Sequence, residues 1–340
     1  MNHLFTLRIP LFWTLVAVAI TAILSYYLVN TISTSHRPVQ VTSNNPVQVN
    51  CNEIKFHRNN HFNLIHPLLF SEISAEDDSL NEMKNEISRF INDEKTAGRV
   101  QDVSVYFRRM DTPSWFGINQ DEEYILASLF KVPVMVAILM QADRDSRFLD
   151  KGVFYKEYPK EVFNQNVPPL PGGHFYPIRT LLESMVSRSD NNAYDLLWKN
   201  MDKADFDQFL EDLKLKPFHV TDTGEYKLNV MDYSKVFRVL YNAGYLSPKN
   251  SEFALKLLSK SDFQEGFITH IDKKVVVPRK FGYRVNSTEG DLSEFGIFYV
   301  NDHPYLLGVM TRGLEYKNLN NILSTISNMV YQRMKVNPAS

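Results

Sequence analysis

Strand-like alternation occurs at only two places in this chain, and a long helical stretch separates them. Val100–Met110 alternates with Val103, Val105 and Phe107 on one face, and Trp115-Phe116-Gly117-Ile118 reads as its hairpin partner. Further strands are expected near 274–284, 294–301 and 304–311. Between the two regions, helices are expected near 128–142, 178–187, 191–201, 204–213, 231–243 and 250–260. Helices also bracket the whole. Leu80, Met83, Ile87, Phe90 and Ile91 recur at helical spacing over 77–95, and Leu319, Ile322, Leu323, Ile326 and Val330 form one stripe over about 315–335. Helix and strand do not alternate one for one, which argues against a doubly wound parallel sheet. The order predicts an α+β fold: a five-stranded antiparallel sheet built from both ends of the domain, flanked by helices, with a mostly helical insert.

The N-terminus carries a different signal. From Ile9 to Val29 the chain is apolar, broken only by Pro10, Thr14, Thr21 and Ser25. A run of about 20 such residues is long enough to span a bilayer as a helix. Arg8 precedes it and no charge follows until Arg37, which favours a cytoplasmic N-terminus. The run ends in Tyr26-Tyr27-Leu28-Val29 rather than at a small-x-small site, so an uncleaved anchor is favoured over a cleaved signal peptide. The expected organisation is a cytoplasmic stub and transmembrane anchor over 1–30, an extracytoplasmic linker over 31–76, and a globular domain over 77–337. That domain would act in the periplasm or at the cell surface, as a monomer. His57, His61 and His66 fall in the linker and read as solvated histidines, because no matching carboxylate or second cysteine accompanies them. The single cysteine, Cys51, rules out an intrachain disulfide. With 37 basic and 39 acidic residues, charge offers no ground for a nucleic-acid partner.

Ser128-Leu129-Phe130-Lys131 is the segment with the clearest chemistry. On a helix, positions i and i+3 share a face, so Lys131 can reach the Ser128 hydroxyl. A serine is a poor nucleophile until a base takes its proton, and lysine can serve once burial or nearby positive charge lowers its pKa. At a helix N-terminus, backbone N–H groups can also meet a developing oxyanion. Alone the spacing is weak, since roughly one Ser-x-x-Lys arises by chance in a chain this long. Two further motifs add weight. Ser189-Asp190-Asn191 lies between expected helices, where Ser, Asp and Asn also serve as ordinary caps. On the strand around 274–284, Lys280-Phe281-Gly282 sets Lys280, Gly282 and Arg284 on one face. That face offers a cation and a small residue where a substrate carboxylate and an approaching backbone could sit. No Gly-x-Ser-x-Gly elbow, His-Glu-x-x-His or phosphate-binding glycine loop is present, so no metal or cofactor is expected.

In this order the three motifs resemble the active-site set of class A β-lactamases and penicillin-binding serine hydrolases. The resemblance runs over roughly 77–337. It includes Gly117-Ile118-Asn119, Leu246-Ser247-Pro248 and Gly296-Ile297-Phe298-Tyr299-Val300. It implies a β-lactamase/transpeptidase-like fold in which Ser128 is acylated, Lys131 activates it and Ser189 relays a proton to the leaving nitrogen. Asn191 would hold Lys131 and a substrate amide, Lys280 would bind the substrate carboxylate, and the N–H groups of Ser128 and Tyr283 would form the oxyanion hole. Gly282 and Arg284 would complete the substrate-binding strand.

Deacylation is where the pattern departs from that family. Glu225-Tyr226-Lys227-Leu228-Asn229 has the Glu-x-x-Leu-Asn form of the family's water-activating loop, which makes Glu225 the candidate base. The loop that should follow is cut short by a helix near Met231, and Phe281 replaces the family's small or hydroxylated residue. The resemblance implies hydrolysis of a β-lactam amide through an ester on Ser128. The alternatives are a D-Ala-D-Ala peptidase acting on peptidoglycan peptides, and a non-enzymatic penicillin- or peptidoglycan-sensing scaffold.

Overall fold

Side-chain alternation in one strand sets the layers of this domain. The structure is a computed structural model that describes residues 54–59, 61, 66–156, 170–215, 219–220, 224–286 and 288–336. In chain order its strands are β1 (Ile54–Arg58), β2 (Leu68–Ile73), β3 (Asp102–Arg109), β4 (Trp115–Ile118), β5 (Glu123–Ile125), β6 (Gly152–Tyr155), β7 (His174–Pro177), β8 (His219–Val220), β9 (Tyr226–Asn229), β10 (Arg279–Val285), β11 (Gly290–Phe298) and β12 (Tyr305–Gly313). The helices are α1 (Asn81–Thr96), α2 (Lys131–Arg144), α3 (Ile178–Ser187), α4 (Asn191–Asn200), α5 (Lys203–Asp212), α6 (Val230–Tyr241), α7 (Pro248–Ser259) and α8 (Tyr316–Val336).

Strand β3 sends Val103, Val105 and Phe107 to one face and Ser104, Tyr106 and Arg108 to the other. It belongs to an antiparallel five-stranded sheet of order β10-β11-β12-β3-β4, as expected. Val103, Val105 and Phe107 share a core with Met83 and Ile87 of α1 and Leu319 and Ile326 of α8. On the opposite face Tyr106, Leu306 and Phe295 share a core with Val236 and Phe237 of α6 and with the helical block. At the centre of that block lies α2, whose residues Val132 to Leu139 are all buried. A helix apolar on every side must be enclosed by others, and α3 to α7 provide the enclosure.

The structure changes three expectations. The segment read as linker contains a hairpin: β1 pairs antiparallel with β2. Leu69 and Phe70 are buried there, and Arg238 of α6 donates to the Ser71 carbonyl at 2.6 Å and to Glu72 at 3.2 Å. This burial lets a short polar segment order against the domain. Of the linker histidines, His57 departs from the solvated reading, while His61 and His66 stay exposed as expected. His57 stacks on Phe70 at 4.5 Å and bonds Glu72 at 3.0 Å, His61 bonds Asp212 at 2.8 Å, and the His66 carbonyl accepts from Arg58 at 2.9 Å. Finally, the helix expected from Ser128 opens as a 3-10 turn over Ala127–Phe130 before α2 starts at Lys131. Pro133 then falls in the first turn of α2, where an amide N–H has no intrahelical partner to lose. The expected anchor at 9–29 lies outside the described residues. Among the described residues no helix is long and apolar enough to cross a membrane.

Strand β10 sits at the sheet edge and is fastened from behind. Arg279 donates to Glu294 at 2.6 Å, with both side chains buried, and also to the Phe263 carbonyl; Glu294 accepts from the Phe267 amide at 2.8 Å. Removing one partner of such a pair leaves an uncompensated buried charge. Glu294→Leu should therefore cost about 3–5 kcal/mol in urea unfolding, and adding Arg279→Met should recover most of it. A loss below about 1 kcal/mol in the single variant would show that the pair does not hold the edge strand.

Candidate active site

Ser128 lies in the 3-10 turn, in which residues i and i+3 eclipse, so Lys131 stacks on the same side. Several neighbours hold this turn. The Leu126 amide donates to the Tyr226 carbonyl at 2.9 Å, Ile125 N–H donates to Asp291 at 3.1 Å, and Tyr233 of α6 donates its hydroxyl to the Leu129 carbonyl at 2.7 Å. Ala127, just before Ser128, has φ +45°, a left-handed conformation that costs a non-glycine residue about 1–3 kcal/mol. Edge strand β10 lies directly against the turn. A Cβ on Gly282 would come within 2.3 Å of the Leu126 carbonyl oxygen and 3.0 Å of the Leu129 nitrogen. Only glycine permits this approach, which the expected pair of N–H donors from Ser128 and Tyr283 requires.

Lys131 is 3% exposed, and its ammonium meets three acceptors. These are the Ser189 carbonyl at 2.6 Å, the Asn191 side-chain oxygen at 2.7 Å and the Ser189 hydroxyl at 3.2 Å. Burial lowers its pKa to about 7, against the opposing pull of Asp190 and Asp195. The neutral amine has two donors and a lone pair. It can keep its two short bonds and turn the lone pair to a serine hydroxyl.

The Ser189-Asp190-Asn191 segment is arranged by its middle residue. Asp190 caps α4, accepting from Asn192 N–H at 2.9 Å and Ala193 N–H at 3.1 Å, while its other oxygen accepts from Ser184 at 2.7 Å and Tyr155 at 3.3 Å. Ser189 has φ +58°, so the chain turns sharply and presents both its carbonyl and its hydroxyl to Lys131. The capping role suggested by composition falls to Asp190, which leaves Ser189 and Asn191 for the lysine.

Lys280 is 1% exposed, and burial pushes its pKa well down, with Lys131 and Arg279 adding to the effect and Glu294 opposing it. Phe281 turns to the opposite face and stacks on Phe263 at 4.0 Å, so it brings no hydroxyl to the groove. The Tyr283 ring packs edge-on against Tyr316 of α8 at 5.1 Å. Arg284 and Glu225, expected as substrate and water residues respectively, form an ion pair with each other. Glu225 nonetheless lines one pocket of about 300 Å³ with Ser128, Lys131 and Asn191.

Residues missing from the sequence-based set complete this pocket. Phe130 stacks on Tyr226 at 4.3 Å, and both rings, with Tyr194, form its aromatic wall. Phe130 and Tyr226 sit inside quoted motifs, but nothing in their spacing signals that the rings meet. The Glu225–Asn229 run also takes an unexpected form. Its last four residues make β9, paired with β5, and Asn229 caps α6 by accepting from Asp232 N–H at 2.7 Å. The run is thus extended, and the Asn229 side chain is committed to the α6 cap instead of to a site shared with Glu225.

The profile of the Beta-lactamase enzyme family matches residues 82–334. The chain belongs to this family. Its fold agrees with that of a TLA-1 extended-spectrum β-lactamase, with TM-score 0.66, 17% identity and coverage of 75% of this chain and 99% of that one. A β-lactamase from Chitinophaga pinensis gives TM-score 0.65 and 18% identity over 73% of this chain and 99% of that one. A PBP-A variant held as an acyl-enzyme with penicillin G gives TM-score 0.64 and 16% identity over 75% of this chain and 97% of that one. At such identities the likeness is one of fold. Among curated proteins no sequence matches.

A β-lactamase-family site with this lysine should show a distinct pH profile. As a base Lys131 would act in its neutral form, so acylation at Ser128 would rise about tenfold per pH unit below a midpoint near 7 and level off above it. Single-turnover acylation rates would show this, and a flat rate from about pH 5.5 to 8.5 would exclude Lys131 as the base.

Proposed function

We propose that the domain hydrolyses β-lactam amides through an ester on Ser128, with Lys131 as the activating base. The observation that carries this reading is the buried Lys131, with a pKa near 7, one eclipsed turn from a serine that lines an open pocket. Membership of the β-lactamase family agrees with a serine hydrolase of this type. Neutral Lys131 takes the Ser128 proton as the oxygen attacks the lactam carbonyl, and the N–H groups of Ser128 and Tyr283 hold the resulting oxyanion. The carbon–nitrogen bond then breaks, and Ser189, bonded to Lys131, delivers the proton to the leaving nitrogen. A substrate carboxylate brought against Lys280 would favour the protonated form that burial disfavours, and Asn191 would position Lys131 and a substrate amide. Glu225 would draw a proton from the water that cleaves the ester.

The Glu225–Arg284 pair favours a second reading for this last step. The Glu225 carboxylate is occupied by a guanidinium, and Asn229 is committed to the α6 cap. Both features suit a peptidase of the penicillin-binding kind, which cleaves D-Ala-D-Ala peptides and releases a β-lactam acyl group slowly. Mass spectrometry after brief penicillin exposure tests both. An adduct on Ser128, absent in Ser128→Ala, is expected. Decay within minutes that Glu225→Gln slows at least about tenfold would support the lactamase. A stable adduct together with D-alanine release from a peptide would support the peptidase, and no adduct at all would sink both.

We also propose that residues 9–29 anchor the chain and leave the catalytic domain outside the cytoplasm. The support is a predominantly apolar run without charged residues, preceded by Arg8. Full-length protein should stay in membranes after alkaline extraction, and deletion of 1–30 should release it. Release of the intact chain by alkali would overturn the anchor.

A further inference from the structure

A second polar pocket, of about 250 Å³, lies between β2, the end of β3 and α6, and shares no residue with the Ser128 pocket. Three guanidiniums line it: Arg108, Arg109 and Arg238, each more than nine-tenths buried. Two carboxylates answer them. Asp111 is shared by Arg109 at 3.0 Å and His303 at 2.7 Å. Glu72 is shared by Arg238 at 3.2 Å and His57 at 3.0 Å. Nearby Lys235 is paired with its own Asp232 at 2.6 Å.

Arg108 is the member left over. Among the described residues it has no carboxylate, and its one hydrogen bond is a 3.4 Å contact to the Ser71 carbonyl. That oxygen already accepts from Arg238 at 2.6 Å. A guanidinium carries five N–H donors in a fixed fork, and Arg108, largely buried on the pocket wall, has most of its donors open to a ligand in the pocket. The second guanidinium is close enough that, after burial itself, Arg108 contributes to lowering the Arg238 pKa. Three guanidiniums lining an open pocket of this volume, one of them without a carboxylate partner, favour an anion there.

We propose that this pocket binds a phosphate-type oxyanion, held by the forks of Arg108 and Arg238. Two forks approaching from a strand and a helix suit an ion with oxygens on several sides, which a tetrahedral phosphate has and a planar carboxylate lacks. Thr112 and Asn242, also on the pocket lining, add a hydroxyl and an amide that can donate to it. The bound ion would tie the β1–β2 hairpin to β3 and α6 at a point where their own side chains leave the charge unbalanced.

The test uses the full-length protein in detergent, titrated with inorganic phosphate at constant ionic strength maintained with chloride. Saturable binding by calorimetry is expected, with a matching rise in thermal midpoint and greater hydrogen-exchange protection of β2. Arg108→Gln should weaken binding at least about tenfold, and Arg108→Lys, which keeps charge without the fork, several-fold. Penicillin labelling of Ser128 should be unchanged in both. Glycerol 3-phosphate in a parallel arm separates a free ion from a phosphate carried on a larger molecule: equal affinity indicates an open, headgroup-compatible site, and rejection a free-ion site. Should Arg108→Gln fail to fold, Arg108→Lys carries the same comparison. Equal effects of phosphate and chloride, or undiminished phosphate binding in the variant that folds, would overturn the proposal.

Discussion

The active site depends on one buried ammonium group and the three oxygens that surround it. Taking Lys131 out of water destabilises its charged form, while the Ser189 and Asn191 oxygens keep it in place. The two effects together yield a lysine that is both fixed and close to neutral at physiological pH. A more exposed lysine would stay protonated and could not serve in the proposed role of base. One buried without acceptors would carry an orphaned amine, and the fold would be strained by it.

Supporting this lysine requires help from distant parts of the chain. Asp190 ends one helix connection and begins α4, so its capping bonds fix the sharp turn at Ser189. On the opposite side, the Arg279–Glu294 pair and the bare face of Gly282 let an edge strand press against the Ser128 turn. Ala127 and Ser189 both adopt unfavourable backbone angles on either side of the lysine. Such strain persists only where the surrounding structure determines the geometry, and here two helices, an edge strand and the β5–β9 ladder share that task.

The sheet and its helices were readable because each long element repeats its pattern many times. Strand β3 shows the alternation of Val103, Val105 and Phe107, and α8 carries a stripe nearly its full length. The β1–β2 hairpin was not readable. It places Phe56 and Leu68 largely in solvent and buries little beyond Leu69 and Phe70, so its pattern resembles a linker until Arg238 comes across from α6. The three motifs were legible as residue types at set spacings, and the structure does gather Ser128, Lys131, Ser189, Asn191 and Gly282 around one turn. What spacing could not show is pairing across the groove. Glu225 and Arg284 belong to different motifs, and only the fold brings them within contact of each other.

That pairing bears on how far the site's chemistry can proceed. Acylation needs only groups that are already in place around Lys131. The proposed deacylation needs a carboxylate that can accept a proton from water, and in Glu225 that carboxylate is engaged by Arg284. On the proposed reading, a substrate carboxylate would compete with Glu225 for the Arg284 guanidinium, which would link substrate binding to this ion pair. The short passage from β9 into α6 limits how far Glu225 can then travel, because Tyr226 is held by the ladder to β5 and by its stack on Phe130. The water would have to come to the carboxylate within the pocket that Glu225 and Ser128 share, rather than the carboxylate being carried in on a mobile loop.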